Sequence, residues 1–155
     1  MAIESSQTIN GKAFEYALLN EFFLRLNSIT NVSIVQNQPF KNALRSFDIV
    51  SEKEKDAFRL NANFAVNLLI SLEPRLSNHL SMEDILELEI VSDSRGQEGD
   101  VRDVLAIRSL QKWEIGISAK NNHRAVKHSR LSNDIDFGMK WLGIPCSDNY
   151  FQTIK

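Results

Sequence analysis

Residues 100–120 constrain this chain more than any other stretch. Asp100-Val-Arg-Asp-Val-Leu-Ala-Ile107 is followed by a short polar break and then by Trp113-Glu-Ile-Gly-Ile-Ser-Ala-Lys120. Two aliphatic runs separated by a few polar residues read as a β-hairpin. A fold about Leu110-Gln111 pairs Arg108 with Trp113 and sets Asp103 opposite Ser118. Side chains alternate along a strand, so Ser118 and Lys120 share a face, and Asp103 joins them there. The pattern therefore predicts an acid and a lysine side by side at the open end of the hairpin. Asp103 interrupts an apolar run between Val101 and Val104-Leu-Ala-Ile107. A carboxylate there needs water, a hydrogen-bond donor or a cation. A salt bridge to Arg102 or Arg108 would satisfy it, and so would a metal ion. Asp100 has the opposite parity and ranks below Asp103 as a ligand.

The rest of the chain bounds what this hairpin can belong to. At 155 residues there is room for one domain with a real core. Hydrophobic residues make up 43% and charged residues 25%, which suits a globular protein. The single cysteine, Cys146, excludes an internal disulfide and a cysteine-based zinc site. The N-terminus lacks the basic start and apolar run of a secretory signal. No apolar run reaches the ~18 residues that span a bilayer. These features predict a cytoplasmic protein with no membrane partner.

Charge is unevenly spread. Residues 1–114 hold 12 basic and 17 acidic side chains, whereas residues 115–155 hold 6 basic and 3 acidic. No acid lies between Ile115 and Asn133, a stretch that carries Lys120, Arg124, Lys127 and Arg130 with His123 and His128. A basic segment on an acidic body suits a polyanion, although a solvated helix face has the same composition. His123 and Lys127, like Arg124 and His128, are four apart and share a helix face. Two histidines five apart are a poor zinc signature, so phosphate contact is the better reading.

Periodicity predicts a helix from residue 11 to about 28, with Phe14, Ala17, Leu18, Phe22 and Leu26 at three-to-four spacing. A short strand is expected at Val32–Val35 and helical structure from Phe40 to Asp56. A second strong helix is expected from Asn61 to Leu76, with Phe64, Leu68, Leu69 and Leu72 on one side and Pro74 near its end. Ser81-Met-Glu-Asp84 has the spacing of a helix start. Leu86–Val91 alternates as a strand, and Asn121–Leu131 reads as a basic helix or helical loop. The order predicts an α+β fold, antiparallel strands with flanking helices. Glu15 lies on the line Glu15, Leu19, Phe22, Leu26 and so beside the apolar side of the first helix. A capping box would need Ser, Thr, Asp or Asn at position 12, where Lys12 stands. A salt bridge or a functional site remains.

Asp103 with Ser118-Ala-Lys120 resembles the signature of PD-(D/E)XK nucleases. More narrowly, three segments resemble the HaeIII-type restriction endonucleases. They are Gly11-Lys-Ala-Phe-Glu-Tyr-Ala17, Gly99-Asp-Val-Arg-Asp-Val-Leu-Ala106, and the run Ile115-Gly-Ile-Ser-Ala-Lys-Asn-Asn-His-Arg-Ala-Val-Lys-His-Ser-Arg-Leu-Ser132. The resemblance implies a restriction-endonuclease-like α+β core in one nuclease domain over residues 1–155. It makes the chain the N-terminal half of a longer family protein, with the core incomplete at its C-terminus. It further implies magnesium-dependent cleavage of double-stranded DNA within GGCC.

Carried over by residue, the resemblance makes Asp103 the first metal ligand, Lys120 the catalytic lysine and the Ala119 carbonyl a further ligand. Glu15 matches a helical glutamate that many members of the superfamily use. Asn122, His123, Arg124, Lys127, His128 and Arg130 would contact DNA. The middle acid of the superfamily pattern is Ser118 here, and a hydroxyl does not replace a carboxylate's charge around magnesium. Asp134, Asp136 or Glu15 would take its place. A palindromic target suits two copies acting on two strands, though monomeric routes exist, and a restriction system includes a cognate DNA methyltransferase. Two rival readings are a truncated, non-catalytic DNA- or partner-binding fragment and another PD-(D/E)XK nuclease of repair or structure-selective type.

Overall fold

The computed structural model describes residues 6–78, 81, 83–92, 101–120, 136, 138–139 and 143–153. Helix α1 (Ser6–Leu26) is the central strut. Leu19, Phe22 and Leu26 are fully buried, and Ala13, Phe14, Ala17 and Leu18 join them in the core. Each large apolar side chain buried this way stabilises the fold by about 1.5–3 kcal/mol.

Strand β1 (Asn31–Ile34) follows, then α2 (Gln38–Ile49) and α3 (Glu52–Leu72). Sequence reasoning expected helix from Phe40 to Asp56 and a fresh helix from Asn61. The chain instead breaks at Val50-Ser51. Ser51 caps α3: its Oγ accepts from Glu54 N at 3.3 Å, and the Glu54 carboxylate accepts from Ser51 N at 3.0 Å. This reciprocal pairing satisfies two otherwise orphaned donors, an effect of about 1 kcal/mol.

The stripe that periodicity picks out on α3 is mostly not the buried one. Phe58, Ala62 and Val66 enter the core, and Leu69 packs partly against it. Phe64, Leu68 and Leu72 are 66%, 59% and 70% exposed. The helix is apolar on more than one side, so periodicity alone does not say which stripe is buried.

Pro74–Leu76 forms a 3₁₀ turn after α3. The expected helix start at Ser81 is a turn, with Asp84 N donating to Ser81 O at 3.1 Å, and strand β2 (Ile85–Ile90) begins directly after it. Strands β3 (Val104–Arg108) and β4 (Trp113–Ile117) complete a four-stranded sheet in the order β1-β2-β3-β4. The last three strands are antiparallel, as expected. β1 runs parallel to β2, so the sheet is mixed. A parallel pair needs a long crossover, and α2 and α3 supply it. Leu86, Leu88, Ile90, Val104, Ala106 and Ile117 line the helix-packed face. A short helix α4 (Asp148–Thr153) closes the described part. No described helix is long and apolar enough to cross a membrane.

Arg108 shares the inward parity of Val104 and Ala106 and is fully buried. Its Nη1 lies 2.8 Å from Asp84 Oδ2. Its other donors reach the carbonyls of Arg75, Leu76 and Asn78 and the Thr30 hydroxyl. One guanidinium thus ties the β3–β4 hairpin to the segments before β1 and β2.

Candidate active site

The hairpin register places Arg108 opposite Trp113 and Val104 opposite Ile117, as the sequence predicts. Asp103 is fixed at the strand ends from both sides. Its N–H donates to Ile117 O at 2.9 Å, and its carbonyl accepts from Val91 N at 2.9 Å. Its side chain is only 10% exposed. The Oδ2 oxygen accepts from Ala119 N at 2.8 Å and from Ser118 Oγ at 3.1 Å. Lys120 Nζ stands 3.7 Å from the same oxygen. That separation exceeds a direct hydrogen bond, so the lysine is held by charge and keeps its donors for other acceptors. Three consecutive residues after β4 thus converge on one oxygen of one carboxylate.

The two arginines weighed as partners of Asp103 have other commitments. Arg108 is buried with Asp84. Arg102 Nη1 lies 2.6 Å from Glu114 Oε1. The Arg102 side chain crosses Gly116, where a Cβ would run into it and the arginine would have to shift. Glu114 sits opposite Ile107, at the turn end of the hairpin.

Two clefts flank the Asp103 edge. One, of about 430 Å³, lies between α1, α3 and the end of β4, with Phe14, Leu18 and Leu69 on one side and Ser118 to Lys120 on the other. The second, of about 240 Å³, is lined by Lys12 and Glu15 from α1, Gln38 and Asn42 from α2, and Val91 and Ser92 after β2. Glu15 therefore opens onto a different cleft from Lys120. Lys12 lines the same cleft as Glu15.

Asp136 accepts from Met139 N at 2.8 Å and Cys146 N at 3.1 Å. The Met139 amide, then Cys146, holds its carboxyl below the usual carboxylate range. Asp100, Asp134, Asn122, His123, Arg124, Lys127, His128 and Arg130 lie outside the described residues. Among the described residues, no three or more His, Cys, Asp or Glu side chains form a cluster able to hold a metal ion. Asp103 and the Ala119 carbonyl are hard oxygen donors of the kind magnesium takes. That ion is commonly held by one or two carboxylates and completes its shell with water, so the donor set fits it.

Comparison with known proteins gives a consistent picture. Residues 11–155 match the family model described as HaeIII restriction endonuclease. The chain is 40% identical over 145 residues to the type II restriction enzyme HaeIII of Haemophilus aegyptius. The match covers 94% of this chain and 45% of that enzyme, so the chain spans about half the length of this relative. No solved structure matches the chain.

Proposed function

Because the chain belongs to the HaeIII restriction endonuclease family, we propose that it is the catalytic portion of a type II site-specific endodeoxyribonuclease. It forms one nuclease domain, the N-terminal half of a longer family protein, and hydrolyses phosphodiesters of double-stranded DNA at GGCC. The observation that carries this reading is the convergence of Ser118, Ala119 and Lys120 on Asp103 Oδ2.

Asp103 and the Ala119 carbonyl would hold a magnesium ion, with Glu15, Asp100, Asp134 or Asp136 as second carboxylate; when bound, the ion neutralises charge on the phosphate. The protein's own groups do the rest. The Lys120 ammonium stabilises charge developing on the phosphoryl oxygens, or takes part in moving the proton of the attacking water. Ser118 Oγ and Ala119 N–H hold the Asp103 carboxylate in place. Lys120 and Asp103 sit in a half-buried setting where their charges are weakly screened. Asn122, His123, Arg124, Lys127, His128 and Arg130 contact the DNA backbone, which positions a duplex without reading its sequence. Two copies would serve the two strands of a palindromic target. A methyltransferase of the same system would protect the host DNA, and the setting would be the cytoplasm.

The test is incubation of the 155-residue chain with magnesium and a plasmid carrying several GGCC sites, beside Lys120→Ala. Discrete fragments from the parent alone support the reading. A smear replaces it with a nonspecific or structure-selective nuclease. The short span relative to HaeIII favours one alternative, a non-catalytic DNA-binding fragment. Duplex binding without any cutting by a folded chain selects it.

A further inference from the structure

We propose that the exposed face of α3 is the contact between two copies of this chain, packed antiparallel through Leu60, Phe64, Leu68 and Leu72. The contact deepens the nuclease reading above, on which it rests for its purpose, by giving the two copies a place to meet.

The first observation is the face itself. Leu60, Phe64, Leu68 and Leu72 are 57%, 66%, 59% and 70% exposed. They recur every four residues and share one side of the helix. Phe58, Ala62 and Val66 hold the other side in the core. Residues 60–72 carry no charged side chain. A contiguous apolar patch of this kind marks a contact surface. With no cation on it, the face offers nothing to a phosphate backbone. The polar neighbours are already engaged along the helix. Ser71 Oγ donates to Leu68 O at 2.7 Å, and Asn67 Nδ2 donates to Asn63 Oδ1 at 3.1 Å.

The second observation is area. Four such side chains at these exposures present roughly 500 Å² per copy, so a pair buries about 1,000 Å², the lower limit of a specific interface. That size suits a weak dimer, which a concentrated chain forms and a dilute chain leaves.

The third is symmetry, and it selects the occupant. A two-fold contact joins the same patch on both copies, so the patch must complement itself. The four positions are centred on Val66. Reversing one helix against the other sets Leu60 beside Leu72 of the second copy, and Phe64 beside Leu68. Every apolar side chain meets another, and no like charges are opposed. Position agrees with this. Ala65 and Leu69, the next residues after Phe64 and Leu68, line the cleft that ends at Lys120. Successive residues on a helix are turned by about 100°. The helix therefore shows one side to the cleft and an adjacent side to the second copy. Pairing through α3 sets one Lys120 cleft on each side of the helix pair, as cutting two strands requires.

The experiment is sedimentation velocity of the 155-residue chain, without DNA or metal, over a wide range of concentration. The parent is expected to pass from monomer to dimer within the micromolar range. Phe64→Glu and Leu68→Glu are each expected to weaken dimerisation by at least about tenfold, with circular dichroism and melting of the dilute chain unchanged. Cross-linking reads the register in a Cys146→Ser background. A short bismaleimide should join Leu60→Cys chains to Leu72→Cys chains in a mixture. It should not join Leu60→Cys chains to one another, because equal positions lie roughly 18 Å apart along the pair. A parent that stays monomeric at every concentration overturns the contact and leaves the face to a different partner. Discrete cutting of a GGCC plasmid by that monomer would still uphold the nuclease reading. A dimer that survives Phe64→Glu and does not cross-link overturns the contact too, and moves it off α3. Dimerisation and cross-linking as expected, with no cutting, uphold the contact and sink the nuclease reading.

Discussion

Two acid–base pairs sit at opposite ends of the β3–β4 hairpin, and they are built differently. At the turn end, Arg108 and Asp84 are 0% and 2% exposed and 2.8 Å apart. Gln111 Nε2 adds a donor to Asp84 Oδ2 at 2.8 Å, and three carbonyls and a hydroxyl occupy the rest of the guanidinium. At the open end, Lys120 is 29% exposed and stands 3.7 Å from Asp103. The first pair is closed to water, and Asp84 Oδ1 is buried there without a hydrogen-bond partner. The second leaves the lysine's donors available and reaches solvent. The two ends of a single hairpin thus hold a buried pair and a partly exposed one, distinguished by how far each charge is shut off from solvent.

Substitutions at the two ends should therefore fail in different assays. Arg108→Ala leaves Asp84 buried without its counter-ion and is expected to cost about 3–5 kcal/mol of stability, read by denaturant or thermal unfolding. Replacing both partners, Arg108→Met with Asp84→Leu, should recover most of that loss, because two apolar groups need no compensation. A double variant as unstable as the single one would show that the carbonyl contacts, and not the ion pair, dominate. Lys120→Ala should do the reverse. A partly exposed pair contributes about 0–1 kcal/mol, so melting should barely move. Cleavage should fall by about a hundredfold or more. A stable Lys120→Ala chain with full activity would remove the lysine from the chemistry.

The contrast also explains what was legible in the sequence. The hairpin register followed from strand parity and a turn, both local, so Asp103, Ser118 and Lys120 were brought together correctly. The same parity placed Arg108 among Val104 and Ala106, which should have marked it as a buried charge with a dedicated partner. Its partner, Asp84, lies 24 positions away, a relation that local patterns do not encode. Ser51-x-x-Glu54 and Ser81-x-x-Asp84 share one spacing. The first caps α3. In the second, the acid is taken by Arg108, and a turn and strand follow. The parallel placement of β1 depends on the crossover through α2 and α3, which only the assembled fold reveals.

Ser118 tests whether the open end depends on its lysine alone or on the whole converging set. Ser118→Ala removes one donor from Asp103 Oδ2 but keeps the Ala119 amide at 2.8 Å. A neutral hydrogen bond of this kind is worth about 0.5–1.5 kcal/mol. Cleavage rates should fall by about tenfold or less, with Ser118→Thr restoring them. Loss as complete as that of Lys120→Ala would make Ser118 a participant in the reaction and not a support for Asp103.

The smallest effect is expected where the sequence was least decisive. Phe58 is 4% exposed and Phe64 is 66% exposed on the same helix. Phe58→Ala should cost about 3–5 kcal/mol by leaving a cavity beside Phe14, whose ring centre is 6.0 Å away. Phe64→Ser should change stability by no more than about 0.5 kcal/mol, as surface substitutions do. Residues 60–72 contain no charged side chain, so pattern alone does not mark which face of this helix is buried. Equal losses from the two substitutions in the 155-residue chain would mean that Phe64 is covered in solution. The buried side of α3 would then be wider than Phe58, Ala62 and Val66.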